Sequence, residues 1–144
     1  MILVKMRRFA RELVLQGLYA AEMTEDSPNK IIEDLVRRHN VDAETREFIE
    51  RLFNTTLKHK DWTRKQIEER LENWEISRVA IIDLHVLQMM MTEMVFFEDI
   101  PPKVSITEGV EIARKYSTDK SSSFVNGILD SVYHSLEDLS VPGE

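Results

Sequence analysis

A chain of 144 residues, 42 % hydrophobic and 31 % charged, is long enough for one compact domain or two closely packed halves, and its make-up is that of an ordinary soluble globular protein. Without cysteine it can form no disulfide, no thiolate nucleophile and no Cys-ligated zinc site. A net charge of −7 argues against a protein that coats nucleic acid with its whole surface, so any nucleic-acid site must be a local basic patch.

Four Gly, four Pro and little strand-type alternation favour an all-α fold. The apolar patch before Arg7 is too short for a secretory core and its charges follow it, the wrong order, so a cytoplasmic protein is expected. A first helix runs from about Lys5 to Glu22, with Ala10, Leu13, Val14, Gly17 and Ala21 inward. Its first turns carry Lys5, Arg7, Arg8 and Arg11, and the three arginines lie within about 100° of arc. Cations at a helix N-terminus oppose the macrodipole, each at a cost of roughly 0.3–1 kcal/mol when exposed. Stability alone would place acids there, which leaves two readings: a binding face, or a solvated basic end that balances an acidic neighbour.

Ser27-Pro28 is a helix start, a capping hydroxyl followed by proline at the first helical position, and the second helix reaches His39 with Ile31, Ile32, Leu35 and Val36 inward. Asp42 caps a third helix built on Phe48, Ile49, Leu52, Phe53 and Leu57. The period breaks near Lys58-His59-Lys60-Asp61, and a fourth helix follows with Trp62, Ile67 and Leu71 inward, ending near Trp74. Lys58, His59, Lys60, Arg64 and Lys65 with Trp62 form a second basic-aromatic cluster, but Glu68, Glu69 and Glu72 follow at once, which favours a solvated face.

From Ser77, a plausible N-cap, to Phe97 the chain is mostly apolar all round, the pattern of a helix about 30 Å long that is covered on most sides. Asp83, His85, Gln88 and Glu93 interrupt it, so it is not a membrane span. His85, Gln88 and Thr92 share a polar strip, with His85 expected to be partly exposed. Asp83 falls in the most apolar sector and must pair inside the fold or face a partner. Pro101-Pro102 end this helix, and a sixth runs from Pro102 or Lys103 to Tyr116. Thr118 or Asp119 caps the seventh, in which Gly127 is expected to admit another helix closely, and Pro142-Gly143 close a frayed tail.

No catalytic constellation stands out. His39, His59, His85 and His134 are scattered without the i, i+4 spacing of a helical metal site, and there is no Gly-rich phosphate loop and no G-x-S-x-G. Neither an enzyme nor a cofactor is indicated. Binding chemistry is better represented: Lys120 and Ser121 to Ser123 open the last helix, where free amides and hydroxyls can hold a phosphate. Tyr116 and Phe124 are aromatics able to stack on an unpaired base, although Phe124 also suits a core.

Three stretches, in order along nearly the whole chain, resemble the NusB family of bacterial transcription antitermination factors. They are Arg7-Arg8-Phe9-Ala10-Arg11-Glu12 with Gln16 and Leu18-Tyr19; Trp74 with Arg78, Asp83, Leu87, Glu93 and Asp99-Ile100-Pro101; and Lys103 to Glu108, Ala113 to Tyr116 and Phe124 to Leu129. The resemblance implies two packed three-helix bundles, at about 1–74 and 75–140. It also implies a non-catalytic protein that binds the small-subunit ribosomal protein NusE and, with it, single-stranded boxA RNA, helping RNA polymerase to read through terminators in ribosomal RNA operons. By position it implies RNA contacts from Arg7, Arg8 and Arg11, and from Tyr116, Lys120, Phe124 and Asn126. Tyr19 and Asp83 fall at the partner contact, Asp83 as an exposed acid, while Asn126 also suits a buried packing role. The chain departs from the family pattern at Leu84, Gln88, Thr92 and Phe9, the first two and Phe9 standing where arginine is common, so its RNA surface is less basic. The competing reading is a helical protein-interaction or homodimerising module without direct RNA binding.

Overall fold

A computed structural model of the chain describes residues 2–72 and 75–143, with side chains from Met6 onward. Trp74 lies outside the described residues, as does the side chain of Lys5. Among the described residues there are seven α-helices, two short 3₁₀ turns and no strand, and contacts divide the chain into two compact units, Met1–Lys58 and His59–Glu144.

The first unit holds α1 (Ile2–Met23), α2 (Pro28–His39) and α3 (Ala43–Lys58). The Ser27 hydroxyl accepts the Lys30 amide at 3.2 Å and Pro28 opens α2. The helix stops at Asn40, whose left-handed φ of 49° a short polar side chain tolerates. Asp42 caps α3 by accepting the Thr45 amide at 2.7 Å. The core joins Ala10, Leu13 and Val14 to Ile31, Ile32, Leu35 and Val36 and to Phe48, Ile49, Leu52 and Phe53. At Gly17 a Cβ would stand 3.0 Å from the Phe53 ring and 3.3 Å from Leu35, so the missing side chain lets α2 and α3 close onto α1. Arg46 ties the two outer helices by pairing with Glu33 of α2 and Glu50 of its own helix.

The second unit holds α4 (Lys60–Arg70), α5 (Ile81–Phe96), α6 (Pro102–Tyr116) and α7 (Asp119–His134). Every residue of α5 from Asp83 to Met94 is buried, and the helix contacts α4, α6 and α7. Fully burying each of Met89, Met90 and Met91 contributes about 1.5–3 kcal/mol. At Gly109 a Cβ would lie 2.9 Å from Leu129 and 3.1 Å from Met90, so this glycine brings α6 against α5 and α7. The Ser105 hydroxyl adds a buried bond to Glu93 at 2.8 Å.

Several expectations are corrected. The division falls between Lys58 and His59 rather than near residue 74, because α4 packs with α5 and α7. The central helix starts at Ile81, not Ser77: Ile76–Arg78 form a 3₁₀ turn, and Val79 is extended and buried. His85, Gln88 and Thr92 are all buried, since this strip is where α4 docks, with the Gln88 amide donating to the Lys60 carbonyl (2.9 Å) and the Thr63 hydroxyl (3.2 Å). His59 is likewise buried, stacked on Phe96 at 4.2 Å, and Trp62 bonds the Ser140 carbonyl at 3.1 Å. The two rings thus turn toward Phe96 and the tail expected to fray, while Lys58, Lys60, Arg64 and Lys65 are exposed, as a solvated face requires. Gly127, expected to admit a helix, is exposed, and a Cβ there would meet nothing within 4 Å.

Candidate nucleic-acid interface

In the first unit the cationic start of α1 leans on one ring. The Arg7 guanidinium sits 4.1 Å from the centroid of Phe48, and that of Arg11 sits 5.5 Å from the same centroid. A guanidinium is planar and weakly hydrated, so it lies on an aromatic face at low desolvation cost. Arg7 keeps 29 % of its side chain exposed and stands 3.8 Å from Glu44, itself 79 % exposed, a pair too long and too wet to hold it firmly. The Arg7 charge also reaches Asp42, whose carboxyl is held below the ordinary range chiefly by the Thr45 amide, then by the Thr45 hydroxyl, with Arg7 adding to both. Asp42 and Glu44 are thus acidic neighbours of Arg7, and because α1 begins at Ile2 rather than near Lys5, Arg7, Arg8 and Arg11 lie beyond its first turn and the expected dipole conflict is relaxed.

Arg8 is partly exposed and engaged within the fold. Arg11 is only 3 % exposed, which corrects the expectation of three arginines on one open face. Angular position on α1 predicted the shared side but not that the fold covers Arg11. Tyr19 is 41 % exposed, farther along α1.

In the second unit the start of α7 is built from hydroxyls. The Thr118 hydroxyl accepts the Ser121 amide at 3.0 Å, and the Ser121 hydroxyl donates to Asp83 Oδ2 at 2.7 Å. Asp83 lies in the first turn of α5, where an acid suits the dipole, and is 6 % exposed. The expectation of an exposed acid at that position is therefore corrected: the carboxylate faces inward and fastens the first turn of α7. Above this base Tyr116, Lys120, Ser123 and Asn126 are exposed and Phe124 is half-buried. Lys120, Ser123, Phe124 and Gly127 follow i, i+3, i+4, i+7 spacing and share one side of α7, with Asn126 at its edge. Exposure of Asn126 removes the buried packing role. Sequence reading missed Phe48 as the ring beneath two arginines, because its helical period marks it only as core, and missed Ser121 as the partner of Asp83.

A model of the NusB family matches residues 8–134. The chain belongs to the NusB family. It is 45 % identical over 133 residues to the transcription antitermination protein NusB of Salinibacter ruber, covering 92 % of this chain and 83 % of that one. The solved structure of NusB from T. maritima superposes with a TM-score of 0.81 at 30 % identity, over 89 % of this chain and 90 % of the other. The NusB fold is also that of a solved complex of antitermination factors NusB and NusE with dsRNA, at TM-score 0.82 and 23 % identity, over 91 % of this chain and 98 % of that one. No helix among the described residues is long and apolar enough to cross a membrane.

Proposed function

We propose that this protein is a transcription antitermination factor that binds boxA-type single-stranded RNA together with NusE, and through that complex promotes read-through by RNA polymerase in ribosomal RNA operons. It acts in the cytoplasm and by binding alone, without catalysis or a cofactor. The observation that carries this reading is the start of α1, which has no acid in its first turn and seats Arg7 over Phe48 with part of its guanidinium open to solvent. Arg7 and Arg8 take phosphates, and Arg11, buried beside Phe48, positions that ring. On α7, Lys120 supplies charge, Phe124 and Tyr116 supply stacking faces, and Asn126 supplies hydrogen bonds to a base edge. Tyr19 is the contact for NusE, while Asp83 acts from beneath by holding the first turn of α7.

A protein-docking or homodimerising role draws support from the exposed apolar side chains of Phe9, Tyr19 and Met23 on α1. One set of measurements separates the two readings. Fluorescence anisotropy of labelled boxA RNA, with and without NusE, is expected to show binding that tightens with NusE and weakens for Arg8→Ala. Absence of RNA binding in both conditions, with light scattering reporting a stable homodimer, refutes the RNA reading.

A further inference from the structure

Helix α2 ends on Arg37, Arg38 and His39. Cations suit a helix C-terminus, so stability accounts for their sign. It does not account for what the tertiary structure does with them. The His39 ring meets the Phe9 ring of α1 edge to face, with centroids 5.6 Å apart and planes at 76°. Phe9 is 40 % exposed, and Arg38 and His39 are exposed as well. Arg37 is held by Asp34 at 2.9 Å, whereas Arg38 has no ion-pair partner among the described residues. Each ring therefore follows a cation in the chain, Arg8 before Phe9 and Arg38 before His39.

Two touching rings in water, each next to an arginine in the chain, match the chemistry of a nucleobase and its neighbouring phosphates. An acidic peptide would satisfy the cations and leave the rings without purpose. A purely apolar partner would have to desolvate the guanidinium groups, which is costly. We propose that Phe9 and His39, whose rings meet and whose preceding residues in the chain are Arg8 and Arg38, form a base-stacking subsite on the first unit. It extends the RNA grip from the start of α1 to the end of α2. The subsite rests on the RNA-binding reading above, and it replaces with stacking the charge that Phe9 does not supply.

The test uses the full chain with NusE and labelled single-stranded boxA RNA, read by anisotropy. Phe9→Leu keeps apolar bulk while removing the ring, and circular-dichroism melts check that each variant folds. Phe9→Leu and His39→Ala are each expected to weaken RNA about 5- to 100-fold, the range for losing one stacked base. Arg38→Ala is expected to weaken RNA and to reduce the salt slope by about one. An abasic RNA scan is expected to find one position whose removal weakens the wild type and has no further effect on Phe9→Leu. Should Arg8→Ala weaken RNA while Phe9→Leu and His39→Ala bind within about twofold of wild type, the subsite is wrong and the wider reading stands. Failure of the wild type to bind RNA with NusE present overturns both. Loss of NusE rather than RNA in the ring variants overturns the subsite in favour of a protein contact.

Discussion

Replacing Gly109 and Gly127 by alanine, one at a time, tests the packing of the second unit, because the same substitution is expected to act with opposite sign. Both residues lie inside helices, α6 and α7, so both changes gain the helix-propensity difference of about 1 kcal/mol. At Gly127 a Cβ meets nothing within 4 Å, and the net effect is a stabilisation of about 0.5–1 kcal/mol. At Gly109 the new Cβ would lie 2.9 Å from Leu129 Cδ1 and 3.1 Å from Met90 Cγ, against an ordinary carbon–carbon contact of about 3.5–4.0 Å. Both neighbours are fully buried, so they can yield only by pushing further into the core. Overpacking of this kind costs about 1–3 kcal/mol, leaving a net loss of roughly 0–2 kcal/mol after the propensity gain. The difference between the two variants cancels propensity and isolates the steric cost, about 1–3 kcal/mol. Urea denaturation followed by circular dichroism reads it as a shift in midpoint at unchanged slope. Equal shifts for the two variants would refute the claim that Gly109 is there to admit its neighbours.

Arg8→Ala is expected to weaken boxA RNA while lowering stability less than Arg11→Ala does, because Arg8 is the more exposed of the two. Arg11→Ala instead lowers stability by about 1–2 kcal/mol, since it removes buried packing against Phe48, and RNA titrations beside urea melts distinguish the two. With three or four phosphates neutralised, log K falls with log salt at a slope of roughly −2 to −3, and a flat salt dependence would contradict phosphate contact. Because its folded-state pKa is depressed, Asp42 contributes stability that is present above the ordinary Asp value of about 4 and lost as pH falls through the lower folded value. Asp42→Asn should therefore flatten the acid limb of a pH–stability profile of the first unit, and an unchanged limb would show that the cap carries no charge effect. Ser121→Ala leaves the buried Asp83 carboxylate without its hydroxyl donor and should cost about 1–3 kcal/mol, read by thermal unfolding; a neutral result would mean that water or another group replaces the bond.

Local pattern was enough for much of this protein. Ser27-Pro28, Asp42, Thr118 and the paired prolines at 101 and 102 set helix ends through groups only a few residues apart, and the inward sets of α2 and α3 followed from a 3.6-residue period. The seven helices were legible for that reason, and the family resemblance from motifs standing in order along the chain. Burial of polar groups was not, because it depends on which helix arrives at a given face. His85, on the polar strip it shares with Gln88 and Thr92, looked partly exposed until α4 docked there with its carbonyl and hydroxyl, and Asp83 looked misplaced until Ser121 met it from α7. Arg11 shared an arc with Arg7 yet is buried, and Phe9 gained its ring partner only when the end of α2 came beside it. Periodicity records which way a side chain leaves its own helix; the distances that turn charge and aromatic area into a site arise only where separate helices meet.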